Sequence, residues 1–142
     1  MFITPLEVRA LKEGKYQLLS DLKFKDEKIV ITVYAGFVYD MASIPSGVHD
    51  IMGCPADYAY ESALHDALYA SRLFSRKACD KYWYKALISF CEWKREVGRV
   101  KALTLYKGVR IGGEQHYGSE SISNAREFVS VSYISDNIED DF

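Results

Sequence analysis

The sequence predicts an α+β fold in which a small N-terminal antiparallel β-sheet is followed by an antiparallel helical hairpin and a third helix. Short β-branched and aromatic runs separated by turn formers fill residues 1–39, and such runs are typical of strands. From residue 58 the apolar residues recur with a helical period. The chain has 142 residues, of which 49% are hydrophobic, so it can bury one core. We expect a single domain over residues 1–113 and a C-terminal extension over residues 114–142.

Two or three antiparallel strands are predicted in the N-terminal third. The β-branched and aromatic runs lie at residues 2–3, 16–19 and 29–34, and turn formers interrupt them at residues 13–14 and 26–27. Because each run is short and is bounded by turn residues, the pattern favours a small sheet over a helix.

The stretch from residue 36 to residue 57 contains too many turn formers to continue the sheet, and we predict a loop there. Asp40 and Ser43 can each bond nearby backbone amides in such a loop, which predicts a capped turn. The alternative places both side chains at the mouth of a functional site. Asp57 stands just before the first helix and is predicted to cap it.

The first helix of the hairpin carries its polar side chains on one face. At 100° per residue they fall in a stripe about 140° wide, and the remaining positions are mostly apolar. The stripe contains Glu61, Ser62, His65, Asp66 and Tyr69. Such a stripe is typical of a solvent-exposed face. The alternative is a functional face turned toward the second helix.

The second helix begins after Ser75, a good N-cap residue, and carries an acidic residue on its apolar side. That residue is Asp80, and a carboxylate buried among apolar side chains needs a partner or a proton. If the chain turns near Leu73, His65 and Asp80 lie at similar heights on adjoining helices, given a rise of about 1.5 Å per residue. We therefore predict a His65–Asp80 pair. It is either a general base with its orienting carboxylate or a purely structural pair.

A third helix is predicted over residues 97–109, and two glycines close it. The sequence after this helix is richer in serine. The alternating run over residues 128–134 predicts an edge strand or a docking segment, and residues 136–142 form an acidic tail.

The composition argues against several classes of function. The net charge of −2 gives no electrostatic case for binding nucleic acid. The sequence has neither a long unbroken apolar run nor a basic-then-apolar N-terminal segment, so no transmembrane segment and no signal peptide are expected. The three cysteines are odd in number and lack the spacing of a zinc site, so we expect reduced thiols.

Several short motifs follow one another along the chain. They are Gly36-Phe37, Asp40, Ala42-Ser43-Ile44-Pro45, Ala63-Leu64-His65-Asp66, Leu68-Tyr69, Ser75-Arg76, Asp80, Tyr106, Val109-Arg110 and Gly112-Gly113. Together they resemble a family of phage and prophage proteins, domain of unknown function 1353, over about residues 36–113. The resemblance implies a phage or prophage origin, a location in the host cytoplasm or the virion, and no settled activity.

A second resemblance is local and concerns the helical hairpin. The pattern His65-Asp66-x-x-Tyr69, followed by Asp80 on the next helix, is similar to the catalytic helices of phospholipase A2. That resemblance implies that His65 activates water and that Asp80 orients His65. It also implies that Tyr69 donates a hydrogen bond to that carboxylate and that Asp66 is a calcium ligand. The glycine-rich calcium loop of those enzymes has no clear counterpart here.

Three kinds of function are expected from the sequence. The first is a small hydrolase, with calcium-assisted hydrolysis of a phospholipid ester as its most specific form and membrane lipid as its partner. The second is a non-enzymatic virion or assembly component that binds a phage structural protein. The third is an inhibitor of a host protein.

Overall fold

The computed structural model describes residues 1–41, 43–114, 117 and 122–134, apart from the side chains of residues 55 and 122–124. Within these residues the fold combines short antiparallel strands with four α-helices, which confirms the predicted α+β class. The acidic tail predicted over residues 136–142 lies outside the described part of the chain.

Six short strands in the described residues form two antiparallel three-stranded sheets. They are β1 (Val8–Ala10), β2 (Tyr16–Leu18), β3 (Leu22–Lys25), β4 (Ile29–Val33), β5 (Val38–Tyr39) and β6 (Val129–Tyr133). One sheet has the order β1-β2-β5 and the other has the order β3-β4-β6. The sequence predicts one N-terminal sheet. Neither the division into two sheets nor the pairing of β6 with β4 is foreseen, and β6 comes to β4 from a distant part of the sequence.

Strand β6 lies at the edge of the second sheet and pairs antiparallel with β4. The register joins Val33 to Val129 and Ile29 to Tyr133. Val129 is buried in the common core, whereas Tyr133 is exposed. The C-terminal segment therefore contributes a strand and a core side chain to the part of the molecule that the N-terminal half builds.

The described helices are α1 (Ser46–Met52), α2 (Ala59–Ser71), α3 (Arg76–Ile88) and α4 (Arg99–Gly112). Helices α2 and α3 pack together as the predicted hairpin, and α4 packs on α3. The stretch for which the sequence predicts a loop contains strand β5, which continues the first sheet, and helix α1. The helix forms because Val48 and Met52, four positions apart, both bury their side chains and so give the segment one apolar face.

The two helices of the hairpin differ in how their N-termini are capped. Ser75 caps α3 as predicted, because its Oγ accepts a hydrogen bond from the N–H of Ala78 at 3.2 Å. The predicted cap of α2 by Asp57 is wrong. Tyr58 is the N-cap residue of α2, and no side chain caps the helix there. A 3-10 helix over Pro55–Tyr58 runs directly into α2 and contains Asp57 within it.

Helix α2 is covered on most of its surface. It packs against α3, β5, β6 and the 3-10 helix that precedes β6. Its polar stripe is consequently buried: Glu61, Ser62 and His65 have 0% exposure, Asp66 has 7% and Tyr69 has 1%. The predicted solvent-exposed face is therefore wrong, and the polar face is turned into the protein.

Helix α4 covers α3 along an apolar seam. Leu105 and Val109 of α4 are fully buried, as are Trp83 and Leu87 of α3. Full burial of one such side chain contributes roughly 1.5–3 kcal/mol. The seam fixes the C-terminal end of α4 beside the N-terminal half of α3, where Asp80 lies.

All three cysteines, Cys54, Cys79 and Cys91, are free thiols, as the sequence predicts. Cys79 and Cys91 are buried, whereas Cys54 is exposed. No helix in the described part of the chain is long and apolar enough to span a membrane.

Candidate active site

An imidazole and a carboxylate meet between α2 and α3. His65 Nε2 is 2.8 Å from Asp80 Oδ1, and neither side chain has any solvent exposure. The two residues lie at the same height on antiparallel helices, on either side of the connecting turn. The structure therefore brings together the two residues whose contact the sequence predicts.

Asp80 is surrounded by hydrogen-bond donors. The Tyr69 hydroxyl donates to Oδ1 at 2.6 Å, Arg110 Nη1 donates to Oδ2 at 2.8 Å, and Arg76 Nη1 is 3.7 Å from Oδ2. Burial by itself raises the pKa of Asp80, but the hydrogen bonds from His65, Tyr69 and Arg110, together with the charge interaction with His65, outweigh it and the pKa is lowered. Asp80 is therefore an anion, and His65 Nε2 carries the proton that lies between them.

The other ring nitrogen of His65 faces Ser43. Ser43 Oγ is 2.9 Å from His65 Nδ1, and Ser43 is 6% exposed. The sequence places Ser43 either in a capped turn or at the mouth of a site, and the structure places its hydroxyl against the imidazole. Ser43, His65 and Asp80 thus form a continuous hydroxyl–imidazole–carboxylate series, an arrangement with which proteins activate a serine.

Asp66, next to His65 on α2, anchors the turn that carries Ser43. Its Oδ2 accepts hydrogen bonds from the backbone N–H groups of Asp40 at 3.2 Å and Met41 at 2.6 Å. Its Oδ1 accepts hydrogen bonds from the Ser43 N–H at 3.3 Å and from the Ser43 hydroxyl. Met41 has a φ of 66°, a left-handed conformation that costs roughly 1–2 kcal/mol. The hydrogen bonds to Asp66 offset that cost.

Asp66 does not fit a calcium ligand in this arrangement. Calcium needs several oxygen atoms with lone pairs directed at the ion, whereas hydrogen-bond donors occupy both oxygens of Asp66. Asp40 contributes its backbone N–H at this point, and its side chain is exposed. Among the described residues, no group of three or more His, Cys, Asp or Glu side chains could hold a metal ion. The calcium site stays a prediction.

The hydrogen bonds that link Asp66, Ser43, His65 and Asp80 need one proton more than the serine hydroxyl and a neutral imidazole provide when both carboxylates are ionised. A proton is required in each of three gaps, between Asp66 and Ser43, between Ser43 and His65, and between His65 and Asp80. The serine hydroxyl and the neutral imidazole supply two protons. When all three bonds are made, the third proton sits on His65 or on Asp66. Burial raises the pKa of Asp66 to about 6, although the hydrogen bond from Ser43 opposes the rise, so a protonated Asp66 is accessible in mildly acidic solution.

Sequence reasoning missed the roles of two arginines beside Asp80. Arg76 precedes Asp80 by four positions on α3, a spacing that predicts an ion pair and could have identified it. Arg110 comes from the last turn of α4, and no local pattern connects it with Asp80.

A family model described as "Protein of unknown function (DUF1353)" matches residues 16–109 of the chain. The match covers more than half of the sequence and contains Ser43, His65, Asp66 and Asp80. A search of curated proteins and a search of solved structures each find no match.

Proposed function

We propose that this chain, which belongs to the family described as protein of unknown function (DUF1353), is a small phage-encoded hydrolase that cleaves an ester or another acyl bond. One observation carries the proposal: Ser43 Oγ is 2.9 Å from His65 Nδ1, and His65 Nε2 is 2.8 Å from Asp80 Oδ1. Such a series lets a hydroxyl pass its proton to an imidazole whose cation a carboxylate stabilises. The phage origin rests on the resemblance of the sequence motifs.

Ser43 is the nucleophile of the proposed reaction. In the structure the Ser43 hydroxyl donates to Asp66 Oδ1, so it first turns toward Nδ1 of His65, 2.9 Å from its oxygen. The oxygen then forms a bond to the carbonyl carbon of the substrate while its proton passes to Nδ1, and Asp80 stabilises the resulting imidazolium ion. The imidazolium then protonates the leaving alcohol as the acyl–oxygen bond breaks. Water next attacks the acyl-serine and gives a proton to His65. The carboxylic acid product leaves as that proton returns to the serine oxygen.

Tyr69 supports the carboxylate and takes no part in bond making. Its hydroxyl donates to Asp80 Oδ1 at 2.6 Å. Burial, and after it the hydrogen bond to Asp80, raises the pKa of Tyr69, so the hydroxyl keeps its proton at neutral pH. A permanent donor at this position helps to hold Asp80 with Oδ1 toward His65. This is the role that the resemblance to phospholipase A2 implies for Tyr69.

Access to Ser43 requires movement of the chain that covers it. Ser43 is 6% exposed and His65 is fully buried, so the covering residues move aside before a substrate reaches the hydroxyl, while Ser43 stays in contact with His65. The hydrogen bonds that Asp66 accepts hold the turn, and Ser43 with it, against α2. A phospholipid ester is the proposed substrate class, on the basis of the likeness of the hairpin to phospholipase A2, and a membrane surface is the corresponding partner.

Hydrolysis of a chromogenic acyl ester, and of phospholipid vesicles, tests the proposal. We expect Ser43→Ala and His65→Gln to lower the rate by about 100-fold or more, since loss of a nucleophile or of a general base typically costs at least that much. Ser130→Ala is the matched control, because Ser130 lies on β6 and bonds to Tyr34. Equal rates in Ser43→Ala and Ser130→Ala would exclude Ser43 as the nucleophile.

A second candidate function is non-enzymatic binding of a phage structural protein or of a host protein, in the virion or the host cytoplasm. The observation that favours it is that both ring nitrogens of His65 and both oxygens of Asp66 are bonded within the chain, as in a polar network that only stabilises a fold. Large apolar side chains are exposed elsewhere: Val100 is 84% exposed, Ile111 86% and Phe90 69%. Exposed apolar side chains are one feature of partner-binding surfaces.

Purified phage structural proteins distinguish the two candidates. Binding by the second candidate predicts a complex that survives His65→Gln and is lost when Val100 and Ile111 are both replaced by Asp. It also predicts that the wild-type protein cleaves no ester. The hydrolase proposal predicts ester cleavage that depends on His65 and is unchanged by the double substitution of Val100 and Ile111.

A further inference from the structure

The last turn of α4 reaches the carboxylate that orients His65. Arg110 Nη1 donates to Asp80 Oδ2 at 2.8 Å, and the Arg110 side chain is 28% exposed while that of Asp80 is 0% exposed. His65 and Tyr69 both bond to the other oxygen, Oδ1. The two oxygens of Asp80 are therefore held from different sides, which fixes the rotation of the carboxylate about its Cβ–Cγ bond.

Arg76 braces this arrangement from α3. Its two terminal nitrogens donate to the carbonyl oxygens of Val109 at 3.3 Å and Arg110 at 3.1 Å. The same guanidinium is 3.7 Å from Asp80 Oδ2. Arg76 thus ties the backbone beside Arg110 to the helix that carries Asp80, so that Arg110 approaches Oδ2 from a fixed position.

We propose that Arg110 is a positioning residue that holds Asp80 as an anion with Oδ1 directed at His65, so that the C-terminal end of α4 controls how strongly the imidazole attracts the serine proton. The consequence for catalysis rests on the proposed hydrolase function, whereas the effect on Asp80 does not. Neither the sequence motifs nor the local hairpin geometry assigns this role to Arg110.

The charge balance around Asp80 supports the proposal. Asp80 is fully buried, and a buried carboxylate favours its protonated form unless cations and donors compensate. Among the residues that the structure describes, Oδ2 would without Arg110 keep only Arg76, which lies beyond hydrogen-bond distance at 3.7 Å. The carboxylate would then take up a proton at higher pH and would no longer fix which ring nitrogen of His65 carries hydrogen.

Carboxyl 13C NMR of Asp80 and the proton resonance of His65 Nε2–H test the proposal without any substrate. We expect Arg110→Met to raise the titration midpoint of Asp80 by about 1 pH unit or more, as removal of a cation within about 4–6 Å typically does, and to displace the Nε2–H resonance. Arg110→Lys should restore part of both effects. It also serves as the informative variant if Arg110→Met does not fold.

Arg126→Met is the matched control. Arg126 donates to the carbonyl oxygen of Ser71, at the C-terminal end of α2, at 2.8 Å, so its replacement likewise removes an arginine hydrogen bond but none to Asp80. We expect it to leave the Asp80 midpoint and the His65 resonance in place. Wild-type values of both in Arg110→Met, or equal displacements in the two variants, would overturn the positioning role. A displaced Asp80 midpoint in a protein that cleaves no ester would retain the positioning role and reject the proposed hydrolase.

Discussion

Asp66 determines where Ser43 stands, because its carboxylate accepts the backbone N–H groups of the turn that carries the serine. Replacing Asp66 by Asn exchanges an acceptor oxygen for an NH2 group that then faces N–H donors. We expect the free energy of unfolding to decrease by roughly 2–3 kcal/mol, the typical contribution of hydrogen bonds to a charged group. Denaturant unfolding measures the change against Asp50→Asn, where the side chain is exposed. Equal stabilities of the two variants would show that Asp66 does not hold the turn.

The Asp66→Asn variant also tests the calcium prediction. Because donors occupy both oxygens of Asp66, we expect Tm to be the same in calcium and in a chelator. Thermal unfolding of the wild type and of Asp66→Asn under both conditions gives the answer. A Tm that calcium raises in the wild type but not in Asp66→Asn would identify Asp66 as a calcium ligand, against the arrangement described above.

Glu61 is a second buried carboxylate on α2. Its Oε1 is 3.0 Å from Lys94 Nζ, with side-chain exposures of 0% and 2%. Burial raises the pKa of Glu61 from 4.5 to about 6, although Lys94 opposes the rise. The folded protein therefore holds this proton more tightly than the unfolded chain. The stabilisation is complete below pH 4.5 and is lost as the pH rises through about 6; it amounts to roughly 2 kcal/mol.

We expect Glu61→Gln to remove part of this pH dependence. Asp66, whose pKa is also raised to about 6, contributes with the same sign. Asp80, whose pKa is lowered, contributes with the opposite sign and only in more acidic solution. Denaturant unfolding between pH 4 and pH 7 should therefore give a smaller decrease of unfolding free energy in Glu61→Gln than in the wild type. Glu27→Gln, at an exposed position, should behave as the wild type. An unchanged slope in Glu61→Gln would mean that Glu61 is ionised throughout this range.

Gly113, just after α4, lies where the end of α4 and the Tyr69 side chain come close together. A Cβ atom at Gly113 would lie 2.6 Å from the backbone oxygen of Val109 and 2.8 Å from Tyr69 Oη. Gly113→Ala is therefore expected to displace Tyr69 from Asp80 and to decrease the free energy of unfolding by roughly 1–3 kcal/mol, the usual cost of overpacking.

Gly47→Ala is the control for that substitution. Gly47 lies in α1, and no heavy atom comes within 4 Å of a Cβ built there. Alanine is the better helix former, so Gly47→Ala should increase stability by up to about 1 kcal/mol. Thermal unfolding compares the two. A Gly113→Ala protein as stable as the wild type would show that α4 and Tyr69 can separate without cost.

The helical hairpin could be predicted because the information that specifies it is local. Helical periodicity, the Ser75 cap and the place of Asp80 on an apolar face identify both helices and the residues that face each other. The contact of the turn with Asp66 could not be predicted, because it is made by backbone N–H groups, which nearly every residue possesses. The prediction of a solvent-exposed face on α2 failed for a related reason. A polar stripe indicates a solvent-exposed face only when the helix packs against the protein on its opposite, apolar face and nowhere else.

The complete site exists only in the folded molecule. The turn after β5 supplies Ser43, α2 supplies His65, α3 supplies Asp80 and α4 supplies Arg110. No single segment contains all of these residues. The Arg110–Asp80 contact joins residues 30 positions apart, so no local sequence pattern predicts it. Family membership followed from the order of short motifs, and the fold class followed from the short strand-like runs and the helical period of the apolar residues. The connection of the serine to the imidazole required the three-dimensional structure.

Labelling with an alkyl fluorophosphonate, followed by mass spectrometry, tests most directly whether Ser43 is an activated nucleophile. The serine oxygen would displace fluoride and form a stable phosphonate ester. We expect one adduct, on Ser43, that forms in the wild type and at a much lower rate in His65→Gln and Asp80→Asn. Ser130 should stay unlabelled throughout. A wild-type protein without an adduct on Ser43, or one that labels at the same rate as folded His65→Gln, would contradict the proposed hydrolase.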